Sequence, residues 1–207
     1  MRRLRGLQGR IPGPVPPPGR GGRPPAPGAV PRAGSHAHLV RGRDHAGAGP
    51  ARASRWSEAK AVDVAVQVCR RVDQIHAKGL IHNDLKADNV MLDKALGVSV
   101  IDFGTATPVG GVVGYQTDGS FRGEWLAPEL LIGGASTRAS DAYSVGFLLG
   151  QIRDAMKRPS KKARASGGVH ERFASAIEGA QRPEPERRLT LSEIAGQLKP
   201  PKKGVSS

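Results

Sequence analysis

Residues 82–89 read His82-Asn83-Asp84-Leu85-Lys86-Ala87-Asp88-Asn89, and Asp102-Phe103-Gly104 follows eighteen residues past Asp84. Phosphoryl transfer needs metal ions held on the phosphates and a carboxylate beside the attacking hydroxyl, with little covalent help from the protein. Asp84 can accept the hydroxyl proton, and Lys86 can contact the transferring phosphate. Asn89 and Asp102 supply oxygen ligands of the kind that leave Mg²⁺ free to keep waters and phosphate oxygens.

An amphipathic helix precedes this stretch over residues 57–78. Its apolar stripe recurs every three or four residues and comprises Ala61, Val64, Ala65, Val68, Val72 and Ile75. Ser57 is expected to cap its start, and Gly79 suits a left-handed stop. Cys69 and His76 share the stripe and are interpreted as packing residues.

Short apolar segments follow the helix and predict strands at 80–81, 90–92 and 98–101, the last two joined as a hairpin through 93–97. An irregular stretch is expected from 105 to 124. Helical patterns resume at about 138–156, 169–178 and 191–198, the last beginning at Thr190 or Ser192.

These residues resemble the catalytic lobe of the eukaryotic protein kinase family. Residues 82–89 are similar to its H-R-D-L-K-x-x-N loop, with D-F-G at the usual distance. The similarity continues with A-P-E at 127–129, a D-x-W/Y-S-x-G helix start at 141–146 and a D-P-x-x-R-P-T-like segment at 184–190. Five motifs in order, covering roughly 57–199, carry the resemblance.

The resemblance implies a role for each motif residue. Asp84 and Lys86 would be catalytic, Asn89 and Asp102 would bind the metal, and Met91 would lie under the adenine of ATP. Five residues would be structural: His82 and Phe103 stack in a hydrophobic spine, Glu129 pairs with Arg188, and Asp141 accepts backbone N–H groups of the catalytic loop. His82 is thus interpreted as a packing residue and not as the base.

Two departures from the family pattern affect regulation and substrate class. Asn83 replaces an arginine that usually binds a phosphorylated activation loop, so phosphorylation of that loop is not expected to be the switch. Lys86 is typical of serine/threonine kinases, whereas Phe121-Arg122-Gly123-Glu124-Trp125 resembles the tyrosine-kinase layout. Serine/threonine kinases usually carry, at the position of Arg122, a threonine that helps link the catalytic Asp and Lys. Serine/threonine specificity is favoured over tyrosine.

The first 55 of the 207 residues differ in composition from the rest. They hold 11 arginines, no lysine, one acidic residue and no aromatic residue, and so account for ten of the chain's fourteen net positive charges. Such a segment buries too little apolar surface to offset its ordering entropy, and we expect a disordered Gly/Pro/Arg/Ala-rich arm. Two explanations fit this composition. The segment is a genuine basic arm, or it is translated from an upstream GC-rich reading frame, since Gly, Pro, Ala and Arg have GC-rich codons. The segment shows neither the Gly-rich loop nor the strand lysine of a kinase small lobe.

The predicted fold is mainly α (α+β): a disordered basic arm over 1–55, a protein kinase-like C-terminal lobe, helical with short β-hairpins, over 56–199, and a tail over 200–207. The predicted function is ATP- and Mg²⁺-dependent phosphoryl transfer to a protein hydroxyl. The alternative is an impaired kinase fragment or pseudokinase that serves as a binding scaffold.

Composition limits the other partners and the compartment. No apolar run reaches the roughly 18 to 20 residues of a membrane helix. Nucleic acid is not the expected partner and would bind only through the basic arm. A single cysteine excludes an intrachain disulfide and fits an intracellular location, with the cytoplasm favoured over the nucleus.

Overall fold

A computed structural model describes residues 56–115, 123–156 and 168–200, together with the backbone of Ala37–His38. These residues all fall within one compact unit, Ala33–Ser207. The remainder of the predicted arm and residues 201–207 of the predicted tail lie outside the described residues.

Helix α1 spans Glu58–His76 and forms the centre of the fold. The Ser57 side chain accepts a hydrogen bond from the backbone N–H of Lys60 at 3.2 Å, and Gly79 adopts the left-handed conformation with φ of 76°. All six residues of the predicted stripe are buried. The predicted helix, its cap and its stop are therefore confirmed to within two residues at the C-terminal end.

In the part of the chain that the structure describes, five short strands form two antiparallel sheets around the catalytic loop. Strands β1 (Ala37–His38), β3 (Val90–Leu92) and β4 (Val98–Val100) make a sheet in the order β1-β3-β4. Strands β2 (Leu80–Ile81) and β5 (Thr107–Pro108) make the other, with Leu80 opposite Pro108. The hairpin between β3 and β4 closes where the Asp93 N–H donates to the Gly97 carbonyl at 3.1 Å, as the sequence predicted.

The described residues form four further α-helices: α2 (Pro128–Leu131), α3 (Arg138–Ala155), α4 (Val169–Ala180) and α5 (Leu191–Leu198). Helix α1 packs against α3, α5 and β4, while α4 packs against α3 and α5. The largest buried side chains of this helical layer include Phe173, Leu148, Leu149, Ile152, Ile194 and Leu198. A capping box joins Thr190 and Glu193 at the start of α5, which selects Thr190 over Ser192 as its cap.

Three elements depart from the sequence-based expectations. Strand β1 lies inside the stretch predicted to be a disordered arm, so that prediction does not hold for Ala37–His38, whose backbones pair with Met91 and Leu92. Strand β5 lies in the stretch expected to be irregular, and α2 was not predicted. Each is four residues or fewer, too short to show a period. No helix among the described residues is long and apolar enough to cross a membrane.

Candidate active site

Asp141, in the first turn of α3, anchors the catalytic loop, which comprises residues 82–89. This fully buried carboxylate accepts hydrogen bonds from the backbone N–H groups of His82 and Asn83 at 2.8 and 2.9 Å, and the Nε2 atom of His76 lies 2.9 Å from its Oδ2. The expected contact of Asp141 with the loop backbone is thus present. His76, expected only to pack, also takes part in this buried polar cluster. The cluster fixes the backbone from which Asp84 projects.

Asp84 is held by three side chains. Its Oδ2 accepts hydrogen bonds from Lys86 Nζ at 2.6 Å and from Asn89 Nδ2 at 2.9 Å, and its Oδ1 accepts one from the indole Nε1 of Trp125 at 2.8 Å. Asn89 also donates to the Asp84 carbonyl at 2.8 Å. The structure therefore brings Asp84, Lys86 and Asn89 together as the sequence suggested, and adds Trp125.

Sequence reasoning missed Trp125 as a site residue, because it appeared only as part of the stretch that precedes A-P-E. The Lys86 ammonium lies 5.1 Å from the centroid of the Trp125 ring, so this side chain contacts both predicted catalytic residues. Trp125 and Asp84 are 41 residues apart in the chain. No spacing or composition signal in the sequence marks this pairing.

Asn89 and Asp102 are the two residues that the resemblance assigns to the metal. The Asn89 Nδ2 group faces Asp84, which leaves its amide oxygen for a ligand, and the Ile101 N–H donates to the Asn89 carbonyl at 3.0 Å, next to Asp102. The Asp102 side chain is exposed, with φ of 63°, and its Oδ1 accepts the Gly104 N–H at 3.2 Å. The described residues contain no group of three or more His, Cys, Asp or Glu side chains arranged to hold a metal ion. One carboxylate and one amide oxygen fit Mg²⁺, which keeps several waters and substrate phosphate oxygens in its shell.

His82 and Phe103 lie next to each other with ring centroids 5.0 Å apart. The His82 ring is fully buried, and both its nitrogens have polar partners: Nε2 lies 3.1 Å from the Ile101 carbonyl, and Nδ1 lies 3.3 Å from the Asp84 backbone nitrogen. Phe103 is 47% exposed. The two rings are therefore in contact at a tilt of 54°, and His82 also links the two motifs through hydrogen bonds. Their stacking in a hydrophobic spine stays a prediction.

A cavity of about 640 Å³ opens on the α1 side of Phe103. Its lining is mostly apolar, with the cationic side chains of Arg71 and Lys78 among it, and includes Val100. Asp84, Lys86 and Asn89 do not line this cavity. The cavity is therefore separate from the residues to which the sequence assigns chemistry.

Two predicted positions lie in the supporting structure. Met91 is half-buried on β3, opposite Ser99 on β4 and His38 on β1. Arg188 donates from Nη1 and Nη2 to the two carboxylate oxygens of Glu129 at 2.6 and 2.8 Å, so the expected ion pair is present. It ties α2 to the segment that precedes α5.

Asn83 stands where the family resemblance predicts an arginine. Its uncharged side chain links the catalytic loop to residues 105–107. Its Nδ2 donates to the Thr105 carbonyl and to Thr107 Oγ1, each at 3.0 Å, and its backbone carbonyl accepts the Tyr115 hydroxyl at 2.7 Å. Its φ of 68° is one that asparagine tolerates better than most residues. It stays a prediction that phosphorylation of the activation loop does not switch activity on.

Tyr115 shows the electrostatic character of this loop. Burial raises the pKa of its phenol well above the ordinary value, and the negative charges of Asp84 and Asp141 raise it further. Loss of the phenolic proton would place a third negative charge near two carboxylates. The phenol therefore stays protonated and continues to donate to Asn83.

Comparison with family models gives one match, to the protein kinase domain, over residues 35–188. The match covers well over half of the chain and contains every predicted site residue. It begins twenty-one residues before Trp56, where the lobe was predicted to begin, and includes β1. The domain boundary at 55 itself stays a prediction.

Several curated proteins are similar to parts of this chain. Serine/threonine-protein kinase PKH3 of Eremothecium gossypii is 40% identical over 103 residues, covering 47% of this chain and 14% of that protein. Serine/threonine-protein kinase CTR1 of Arabidopsis thaliana is 26% identical over 160 residues, covering 69% and 20% respectively. Tyrosine-protein kinase csk-1 of Caenorhabditis elegans is 36% identical over 88 residues, covering 42% and 16%. The chain spans at most about a fifth of the length of these three relatives.

Proposed function

The chain belongs to the protein kinase family, and on that premise we propose that it transfers the terminal phosphoryl group of ATP to a hydroxyl group of a protein substrate. The observation that carries the proposal is the environment of Asp84. Its carboxylate is only 17% exposed, accepts hydrogen bonds from Lys86, Asn89 and Trp125, and projects from a loop that Asp141 anchors. Catalysis of this reaction depends mainly on positioning and charge, and the hydrogen bonds to the Asp84 carboxylate support the proposal on both counts.

In the proposed reaction Asp84 orients the substrate hydroxyl and takes up its proton. The hydroxyl oxygen forms a bond to the γ-phosphorus, the bond from that phosphorus to the bridging oxygen of ADP breaks, and ADP leaves with the electron pair. Lys86 is 29% exposed and lies 2.6 Å from Asp84, and in the proposed reaction it would contact the phosphoryl group as charge develops on it. The proposed base, Asp84, and the proposed phosphate contact, Lys86, are thus hydrogen-bonded to each other.

Asn89 and Asp102 would hold Mg²⁺ through the amide and carboxylate oxygens. When bound, the ion neutralises charge on the ATP phosphates. The chain's own contribution is to orient the two ligands: Asn89 through its bonds to Asp84, and Asp102 through the left-handed backbone next to Gly104. Met91, half-buried on β3, is proposed to contact the adenine.

We favour serine or threonine as the acceptor over tyrosine. Lys86 two residues after Asp84 supports this choice, and two of the three relatives described above carry serine/threonine-protein kinase in their names. A tyrosine-protein kinase is among the relatives as well. Incubation with a degenerate peptide library, followed by phosphoamino acid analysis, distinguishes the two acceptors, and exclusive phosphotyrosine would overturn the preference.

The proposal is tested with Asp84→Asn, which keeps the size of the side chain but removes the base. We expect phosphate incorporation into a generic protein substrate to fall by at least about 100-fold, the usual contribution of a general base. Fluorescent ATP-analogue affinity should change little. Asp63→Asn, on the exposed face of α1, is the matched control and should retain full activity.

Two results would count against the proposal. Equal incorporation by the wild type and Asp84→Asn would remove Asp84 from its role. Undetectable binding of the ATP analogue and Mg²⁺ at millimolar concentration would contradict enzymatic activity of this chain and leave the scaffold alternative in its place.

A further inference from the structure

We infer that Trp125 is a positioning residue for the reaction, which holds Asp84 and Lys86 in their mutual geometry. The inference rests on the proposed function. Trp125 contacts both members of the pair: its Nε1–H donates to Asp84 Oδ1 at 2.8 Å, and the Lys86 ammonium lies 5.1 Å from its ring centroid. A hydrogen bond to an ionised acceptor is stronger than one between neutral groups.

The contact restrains the one carboxylate oxygen that the loop itself does not bond. Lys86 and Asn89 both donate to Oδ2 of Asp84, whereas the indole N–H donates to Oδ1. Because the carboxylate is planar, donors at both oxygens together fix its rotation about the Cβ–Cγ bond, and loss of the indole donor weakens that restraint. The same ring face attracts the Lys86 ammonium, which is thereby held on two sides.

Trp125 is presented from an anchored segment. The N–H of the next residue, Leu126, donates to the Gly123 carbonyl at 2.8 Å, and Leu126 and Ala127 are buried. Helix α2 follows immediately, and its Glu129 is tied to Arg188. The backbone that carries the indole is therefore held in place, so the indole can orient the carboxylate of Asp84.

Trp56 provides a matched control within the same chain. It is the only other tryptophan, and Lys60 Nζ lies 4.5 Å from its ring centroid, so it makes a comparable cation–π contact at the N-terminal end of α1. Trp56 pairs with Met156, and its backbone N–H donates to the carbonyl of Ala155 at 2.9 Å, at the C-terminal end of α3. Trp56→Phe should therefore leave kcat unchanged.

Activity measurements separate the two contacts of Trp125. Trp125→Phe keeps an aromatic face for Lys86 but removes the N–H, and we expect kcat to fall about tenfold, the loss of one hydrogen bond to a charged group. KM for ATP should stay within about twofold, because the indole orients the base and not the nucleotide. Trp125→Leu removes both contacts and should lower kcat further. An unchanged kcat in Trp125→Phe would overturn the inference.

An NMR experiment tests the contact independently of activity. The chain has two indole N–H signals, and Trp56→Phe assigns them. We expect Asp84→Asn to move the Trp125 signal upfield and to leave the Trp56 signal in place, because a neutral amide is a weaker acceptor than a carboxylate. An unmoved Trp125 signal would overturn the inference, and the test does not require any Trp125 variant to fold.

The two experiments distinguish failure of the inference from failure of the proposed function. If the wild type transfers no phosphate, the proposed function fails and the NMR result alone decides whether Trp125 orients Asp84. If the wild type is active and Trp125→Phe is equally active, the proposed function stands and the inference fails.

Discussion

Replacement of Arg188 by methionine should destabilise the lobe more than any single change on its surface. The guanidinium side chain is fully buried and donates two hydrogen bonds to Glu129, at 2.6 and 2.8 Å. It also donates to the carbonyls of Arg182 at 2.7 Å, Pro183 at 3.0 Å and Ala139 at 3.2 Å. Methionine fills part of the volume but leaves one carboxylate and three carbonyls without this donor.

Loss of one partner from a buried ion pair costs about 3–5 kcal/mol. The Glu129 side chain is 20% exposed, so water can reach it and the cost should lie near the lower end of that range, about 3 kcal/mol. For a chain of this size the corresponding fall in Tm is roughly 6–12 °C. Urea unfolding followed by far-UV circular dichroism measures the difference directly.

A double-mutant cycle isolates the pair. Glu129→Gln, Arg188→Met and the double variant should show a coupling of about 2 kcal/mol, within the range for contacting residues. Arg153→Met is the control: its ion pair with Asp154 is exposed, at 3.3 Å, and its loss should change stability by less than about 0.5 kcal/mol. A cost below about 1 kcal/mol for Arg188→Met, or strict additivity in the cycle, would refute the reasoning.

Two further predictions concern packing and the buried thiol. In α3, a Cβ at Gly146 would lie 2.7 Å from Gln181 Cγ and 2.9 Å from Ala180 Cβ, whereas a Cβ at Gly150 would meet nothing within 4 Å. Gly146→Ala should therefore lower the free energy of unfolding by about 1–3 kcal/mol, whereas Gly150→Ala should raise it by up to about 1 kcal/mol. Thermal melts compare the Tm values of the two variants, and equal shifts in Tm would contradict this account of the α3–α4 contact. Burial raises the pKa of the Cys69 thiol from 9.0 to about 12, so a thiol reagent at pH 8 should label the unfolded chain but not the native one. Because the folded thiol holds its proton more tightly, its contribution to stability is present below pH 9 and falls as pH rises from 9 towards 12, a slope that Cys69→Ala should lack.

The elements that sequence reasoning predicted are those whose signals are local. Helix α1 carries its apolar stripe, its Ser57 cap and its Gly79 stop within one stretch, and the β3–β4 hairpin has its turn between adjacent strands. Strand β5, by contrast, pairs with β2 across more than twenty residues of intervening chain and contains a proline. Such pairing depends on the path of the whole chain and leaves no local pattern.

The candidate site divides in the same way. The loop around Asp84 placed a carboxylate, an amine and an amide within six residues, so their meeting followed from spacing and from the family resemblance. Asn83 is different: the sequence showed only that an arginine was replaced, while the fold shows its side chain bonded to Thr105 and Thr107.

By itself, the sequence determined that the chain contains a kinase lobe, the order of its four longer described helices and the residues of its catalytic loop, because those properties reside in short motifs and local periodicity. Only the tertiary structure decided that Trp125 donates to Asp84, that His76 joins the buried Asp141 cluster, and that β1 pairs with β3. Hydrogen bonds between groups 41 or 65 residues apart require atoms to meet within about 3 Å. That proximity is set by how helices pack, which neither composition nor spacing specifies.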